Sequence, residues 1–270
     1  MRQRWYQGDE GYAIWLDRVY AASAMSTRVA VILVAGLGSR LSPLTDDRPK
    51  ALVEVGGETI LHRAVRQLRA HGVQRVVLAT GYRGDAIERV VPELGVDVEL
   101  VPNPLYASTQ NSVSLALCRD AVGTEDFFKL DGDVIFDKEV LARLDRAATP
   151  LAVAIDRTRT VDAEAMKVIA DGDRITAFGK GISLDESAGE SIGIERISGA
   201  AGQSIFARLT EAFAQGLVDR YYEDHYGDLI REGKLSAQAV DVGDLPWTEV
   251  DDHQDLAVAR TIVGVERGGR

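Results

Sequence analysis

Short runs of apolar, largely β-branched residues recur along the chain with helix-patterned stretches between them, and this alternation restricts the fold more than any other feature. VAVILVA (29–35), RVVLAT (75–80), VDVELV (96–101), DFFKLDG (126–132) and LAVAID (151–156) have the length and composition of strands. Between the first two lies ETILHRAVRQLRAHG, in which Ile60, Leu61, Ala64, Val65 and Leu68 share a helical face and Gly72 marks the stop. DKEVLARLDRAA carries another such face, with Asp137 in position to cap it. Strands covered on both faces read as continuous apolar runs, and strand alternating with helix implies parallel crossover units. The expected fold is α/β, a doubly wound, mostly parallel, Rossmann-like sheet.

After Asp156 the rhythm changes. AMKVIADGDRITAFGKG reads as a small β-hairpin around Asp171-Gly172, a dipeptide that tolerates positive φ. That turn puts Met166, Val168, Ile175 and Ala177 on one face and leaves Lys167 and Thr176 on the other. Two helical stretches follow, near 203–215 and 220–232, and then PWTEVDDHQDLAVAR, a strand running into a helix capped by Asp251 or Asp252. With no repeat, linker or low-complexity tract, residues 25–270 are expected to form one domain. Residues 1–24, in which YAIWLDRVYAA has helix-compatible spacing, are expected to be an N-terminal extension without an assigned role.

Asp and Glu outnumber Lys and Arg by 42 to 31, a formal net charge of -11, which argues against nucleic acid or an anionic membrane as a general partner. An anionic ligand must be held locally. Cys118 stands alone in an apolar helical run, a small core residue that points to a reducing cytoplasm. No run of about 18 apolar residues suggests a membrane span. His62, His71, His225 and His253 lack metal-ligand or triad spacing.

Against this acidic background, VAGLGSRLSPLTDDRPK (34–50) gathers Arg40, Arg48 and Lys50 into one loop. The loop follows the first strand, at the sheet edge where ligands of open α/β folds collect. Gly36 and Gly38 allow a sharp turn and close approach of N–H groups to an anion. Leu41 occupies the third glycine position of a dinucleotide fingerprint, and no G-x-x-x-x-G-K-[ST] is present, so neither standard phosphate loop applies. By spacing alone, a phosphate site and an ordinary strand-to-helix turn with solvated basic residues both remain open.

GLGSRLSPLTDDRPKALVEVGGETIL closely resembles the signature of the sugar-phosphate nucleotidylyltransferase superfamily. From Val29 to about Ala259 the chain is most similar to the bacterial choline-phosphate, inositol-1-phosphate and phosphonate cytidylyltransferases. TGYR, NPLYASTQNSVSLAL, LDGDV, AMKV, GKG, GESIGI and PWTEVDDHQDL carry that likeness. Gln110-Asn111 stands where many such enzymes have paired Asn, and TEVDDH where they have Ile-Glu-Ile-Asp-Thr-Pro; both departures bear on the acceptor. The resemblance implies a Rossmann-like nucleotidyltransferase fold and a Mg²⁺ cofactor. It assigns Lys50 to the reacting phosphates and Arg40 to departing pyrophosphate, and implies nucleotide contacts from Ala35, Gly36, Gly38, Ser39, Thr80 and Gly81. Arg48 receives no role and reads as a surface charge.

Asp133, at the end of an apolar strand, is costly there unless hydrogen-bonded or metal-bound, and the resemblance makes it a magnesium ligand. Asp251 matches the second metal carboxylate and is also a good helix cap. Asp131 fits a supporting carboxylate or a turn residue. Lys180, between two glycines, is implied to meet the acceptor phosphate, with Lys167 as an alternative or an outward-facing lysine. Asn103, Gln110 and Asn111 offer amides to a base or acceptor, or cap a helix. Glu190, Tyr222, Asp224 and Trp247 suit an acceptor pocket for a quaternary ammonium, or a core.

The expected activity is Mg²⁺-dependent transfer of CMP from CTP to a small phosphorylated alcohol or phosphonate by direct in-line attack, with catalytic Arg40, Lys50 and Lys180. Two rivals stand beside it: a sugar-1-phosphate enzyme using UTP or dTTP, and a non-catalytic nucleotide-sensing subunit. The joint presence of Arg40, Lys50, Asp133 and Asp251 argues against the latter. A homo-oligomer is left open.

Overall fold

The computed structural model describes residues 27–268, so the extension 1–24 and the helix expected within it lie outside the described residues. In chain order the strands are β1 (Val29–Val34), β2 (Glu54–Val55), β3 (Glu58–Thr59), β4 (Arg75–Thr80), β5 (Asp97–Pro102), β6 (Phe127–Asp131), β7 (Val134–Phe136), β8 (Leu151–Asp156), β9 (Lys167–Asp171), β10 (Arg174–Gly179), β11 (Gly189–Ile197), β12 (Ala237–Asp241) and β13 (Trp247–Glu249). The helices are α1 (Ile60–His71), α2 (Gly84–Leu94), α3 (Asn111–Leu117), α4 (Arg119–Val122), α5 (Glu139–Arg146), α6 (Gly199–Ala214), α7 (Tyr222–Arg231) and α8 (His253–Gly268).

The five apolar runs all form strands, and α1 ends as its sequence implies, on Gly72 with φ +114°. Neighbouring residues of each central strand enter opposite cores. Ala30, Ile32 and Val76 pack under α1, α2 and α5, whereas Val29, Val31 and Val77 pack under α3, α6 and α7. A third cluster joins Leu41 and Ile135 to Val250, Leu256 and Val263 of the C-terminal segment. Burial of Leu41 there anchors the glycine loop by roughly 1.5–3 kcal/mol.

The sheet is not the open, mostly parallel one expected. Its order is β5-β4-β1-β6-β11-β8-β12-β10-β9, with a further pairing of β9 to β11 that closes five strands into a barrel. The ladders β5–β4, β4–β1, β1–β6 and β8–β12 are parallel. The ladders β6–β11, β11–β8, β12–β10, β10–β9 and β9–β11 are antiparallel, which makes the sheet mixed and mostly antiparallel.

The physical reason lies in β11. GESIGIERI is broken by two glycines and three charged side chains, so it lacks the apolar continuity of β1 or β8, yet it is the hinge of the sheet. Its register shifts between Ser191 and Glu195, with Gly193 at φ +72°. Such a bulge bends a strand and strengthens its twist, which lets β8, β12, β10 and β9 curl back. The hairpin forms around Asp171-Gly172, but it is the seam of the barrel and not an appendage. A second shift between Ile175 and Ala177 changes its facing, so that Phe178 joins Val168 and Ile175 in the core.

Candidate active site

The carboxyl ends of β1 and β6 open into a cavity of about 400 Å³, within the usual size of small-ligand sites. One wall is the glycine loop. Gly38 adopts φ +63°, and a Cβ there would lie 2.8 Å from the Cβ of Lys50, so glycine lets the loop fold onto that lysine. Thr45 Oγ1 donates to the Gly38 carbonyl at 2.9 Å and closes the loop. Ala35, Gly36, Gly38, Arg40 and Lys50 line the cavity, while Ser39 is exposed in the following turn.

Asp133 and Asp251 are brought together by a short antiparallel ladder. Trp247, Thr248 and Glu249 of β13 pair with Phe136, Ile135 and Val134 of β7, and Val250 N donates to the Asp133 carbonyl at 3.0 Å. The Lys50 ammonium sits between the two carboxylates, 2.5 Å from Asp133 Oδ2 and 2.6 Å from Asp251 Oδ1. Arg40 Nη2 lies 2.7 Å from Asp251 Oδ2. Burial pulls the Lys50 pKa down, but Asp133 and Asp251 outweigh it and leave it raised. Burial pushes Asp251 up, and Lys50 with Arg40 brings it below the usual carboxylate range. The capping alternative for Asp251 falls to its neighbour, because Asp252 Oδ1 accepts from Gln254 N and Asp255 N at 2.7 and 3.0 Å.

Gly132 separates this cluster from a second one. A Cβ at Gly132 would lie 2.5 Å from the Leu33 carbonyl, so only glycine allows the β6 turn to press against β1. On its buried side Lys129 stands 3.0 Å from Asp131 and 3.2 Å from Glu195, and also meets the Tyr222 hydroxyl. Tyr222 donates to Asp131 Oδ2 at 2.9 Å. Burial is the main cause that raises Glu195 to about 7 and Glu223 to about 8, with Lys129 acting in the opposite direction.

The opposite wall comes from Thr109, Gln110, Asn111 and Ser114, with Tyr106 beside them. Thr80 and Gly81 stand behind it: a Cβ at Gly81 would be 2.6 Å from Tyr106 and 2.7 Å from the Ala35 carbonyl. Asn103 is buried, donating to Thr109 and Ser114 and accepting from Leu105 N, so its amide fixes the loop. Asn111 Oδ1 accepts from Tyr222 N at 3.2 Å, tying this wall to α7.

Lys180 and Glu190 line the cavity's remaining side. Glu190 is raised to about 6, chiefly by burial and then by Asp162. Lys167 lies behind them, donating to the carbonyls of Ala163, Ala165 and Lys180 at 3.0, 3.3 and 2.7 Å. It holds the segment that delivers Glu164 and Met166 to the wall. Tyr222 and Trp247 are core residues: Trp247 Nε1 donates to buried Asp156 at 2.7 Å. Asp224 accepts from Tyr221 N at the head of α7. Arg48 pairs with exposed Asp47 outside the cavity.

Sequence reasoning did not select Tyr221, Glu223 or Glu249, all of which line the cavity. Glu249 is two residues before Asp251, and period-two alternation along β13 would have found it. Its carboxyl is pushed well above the ordinary range by burial, then by Asp133, Asp131 and Asp251. Tyr221 and Glu223 flank the chosen Tyr222 at a helix start, where no simple period tells which residue turns inward.

Residues 30–180 match the MobA-like NTP transferase domain. The chain is 32% identical to the CMP-5'-(3-aminopropyl)phosphonate synthase of Streptomyces rubellomurinus, over 88% of this chain and 39% of that one. It is 34% identical to the bifunctional IPC transferase and DIPP synthase of Rubrobacter xylanophilus, over 87% of this chain and 51% of that one. It thus spans about half the length of these relatives or less. The solved inositol-1-phosphate CTP transferase from T. maritima matches with a TM-score of 0.74 at 26% identity, over 88% of this chain and 96% of that one. With the matched region covering more than half of its length, the chain belongs to the MobA-like NTP transferase family.

Proposed function

We propose that the protein transfers CMP from CTP to the phosphate of a small phosphorylated alcohol, or to a phosphonate, and releases pyrophosphate. The observation that carries this reading is the Lys50 ammonium held between Asp133 and Asp251 in the wall of a cavity that opens on the glycine loop. CTP is chosen because the names of the T. maritima transferase and the Streptomyces synthase contain CTP and CMP.

Both reactants are anions, and two unit charges ~4 Å apart repel by ~4 kcal/mol at an effective dielectric near 20. Neutralisation and positioning are therefore the main tasks, as in other phosphoryl-type transfers. Backbone N–H groups at Gly36 and Gly38 receive the triphosphate. Lys50 exchanges its carboxylate partners for phosphate oxygens near the reacting phosphorus, and Arg40 neutralises the pyrophosphate as it leaves. Lys180 orients the acceptor so that its ionised oxygen attacks the α-phosphorus opposite the pyrophosphate. One P–O bond forms, one breaks, and the electron pair departs with the pyrophosphate oxygen, so no general base is required.

The residues fit Mg²⁺. Asp133 and Asp251 already converge on one cation, the Lys50 ammonium, and no group of three or more His, Cys, Asp or Glu side chains forms a metal cage among the described residues. Two carboxylates completed by water and phosphate oxygens suit magnesium. When bound, it supplies charge neutralisation and a template for the phosphates.

Pyrophosphate release with CTP, UTP, dTTP, GTP and ATP, each against phosphocholine, phosphoethanolamine, inositol 1-phosphate, sugar 1-phosphates and simple phosphonates, tests the reading. Turnover with CTP and a small phosphate or phosphonate is expected. Turnover confined to UTP or dTTP with a sugar 1-phosphate would replace it with the sugar-nucleotide alternative, and no turnover with any pair would overturn it.

A further inference from the structure

TGYR (80–83) puts Thr80 and Gly81 behind the cavity wall, and its last two residues take no part in the transfer chemistry. Arg83 has φ +49° and is the one non-glycine residue at positive φ among the described residues. Backbone held there is strained and persists only where its surroundings outweigh the cost. The Arg83 guanidinium pairs with Asp85 at 3.5 Å, and the turn at Arg83 starts α2 while Tyr82 reaches back to the glycine loop.

Tyr82 holds both limbs of that loop. Its backbone N–H donates to the Ala35 carbonyl at 3.0 Å, at the entry. Its hydroxyl is shared between the carbonyls of Asp46 and Thr45, at 2.8 and 3.0 Å, on the limb that leads to Lys50. Thr45 Oγ1 bonds the Gly38 carbonyl in turn, so contacts through Ala35, Tyr82, Thr45 and Gly38 close a ring around the loop. Between Leu41 and Pro49 only Thr45 is buried, so this limb has little apolar packing and depends on hydrogen bonds to keep its shape. His253 Nε2 meets the Ser42 carbonyl at 3.0 Å, and Tyr82 takes the stretch beyond it. The Tyr82 ring lies 6.4 Å from that of Tyr106 on the cavity wall, whereas Tyr82 itself lies outside the lining.

We propose that Tyr82 is a positioning residue for the nucleotide: its hydroxyl holds the glycine loop in the shape that receives the triphosphate, without touching the nucleotide. This rests on the nucleotidylyl-transfer reading and adds to it a residue outside the cavity. A loop already ordered for an anion binds it more tightly than one that must be ordered on binding.

Tyr82→Phe removes the hydroxyl and keeps the ring. Hydrogen–deuterium exchange of the full chain should be faster at the amides of residues 36–47 in this variant and unchanged in β1 and β4. Calorimetric titration with CTP in the presence of Mg²⁺ should show affinity lowered by about five- to tenfold, the scale of one lost hydrogen bond. Arg83→Gly relieves the strain and leaves Tyr82 in place, so its affinity for CTP should stay within about twofold of wild type. Equal affinity for CTP in Tyr82→Phe and wild type overturns the proposal even if exchange is faster, because the contact is then merely structural. Unchanged exchange at 36–47 overturns it as well, and a larger loss in Arg83→Gly than in Tyr82→Phe moves the role to Arg83. Failure of the wild-type protein to bind CTP removes the underlying reading together with the proposal, whereas equal binding by both proteins removes the proposal alone.

Discussion

Lys50 and Lys129 make nearly the same contacts in opposite surroundings. Each ammonium stands between two carboxylates, and the Asp131-Gly132-Asp133 turn separates the pairs. The Lys50 side chain is 17% exposed and lies on a cavity wall, open to an anion that enters the cavity. The Lys129 side chain is 0% exposed and has no such exchange open to it. Ion pairing alone therefore does not mark a functional lysine; access to a replacement anion does. The buried set fixes the back of the turn, and the front set faces the cavity.

Substitutions can break this contrast. Asp133→Asn and Lys50→Met should each lower the rate of pyrophosphate release by at least 10²–10³, roughly the loss expected when a group facing transition-state charge is removed. Circular dichroism should show an intact fold in both. Lys129→Met should act the other way round. Leaving Asp131 and Glu195 buried without their cation should reduce unfolding free energy by about 3–5 kcal/mol in urea titrations.

The pH dependence of stability sharpens the same contrast. Glu195 and Glu223 are raised to about 7 and about 8, so the folded state binds protons that the unfolded state has released above the ordinary glutamate range. Stability contributed by these protons is present at low pH and is lost as pH rises from about 5 through about 8, by up to about 1.4 kcal/mol per unit for each proton. Asp251 is lowered, so its contribution is instead lost as pH falls below the ordinary aspartate range. Glu223→Gln should flatten the decline between pH 5 and 8 in thermal melts. Arg48→Ala, at an exposed pair outside the cavity, should shift stability by no more than about 0.5 kcal/mol and leave turnover alone.

The parallel half of the sheet was legible because β1, β4 and β6 are buried on both faces and announce themselves as apolar runs. The loop between Gly36 and Lys50, and the aspartates after β6 and β13, follow from that half and its flanking glycines. In the barrel half β8 and the β9–β10 hairpin were legible, but closure through β11 was not. On β11 Glu190 meets the cavity, Glu195 the buried charge cluster and Arg196 the carboxylate of Asp126, and those polar residues hid a strand from a search for apolar continuity. Lys167 misled for a related reason: alternation put it opposite an apolar face, but barrel closure covers both faces and gives its ammonium three carbonyls. Tyr222 and Trp247 read from sequence as pocket or core aromatics, and they lie in the core with Lys129 and Arg159 against their rings. Composition cannot reveal which face of a ring its own chain occupies.

The central claim is that phosphorus transfer occurs at the exchangeable cluster of Lys50, Asp133 and Asp251. Phosphorus NMR of the full chain with CTP, Mg²⁺ and 3-aminopropylphosphonate follows that transfer directly. The account predicts a new phosphoanhydride product accumulating in step with equimolar pyrophosphate, and neither signal with Asp133→Asn. Free CMP without a conjugate, or undiminished product formation by Asp133→Asn, would contradict it.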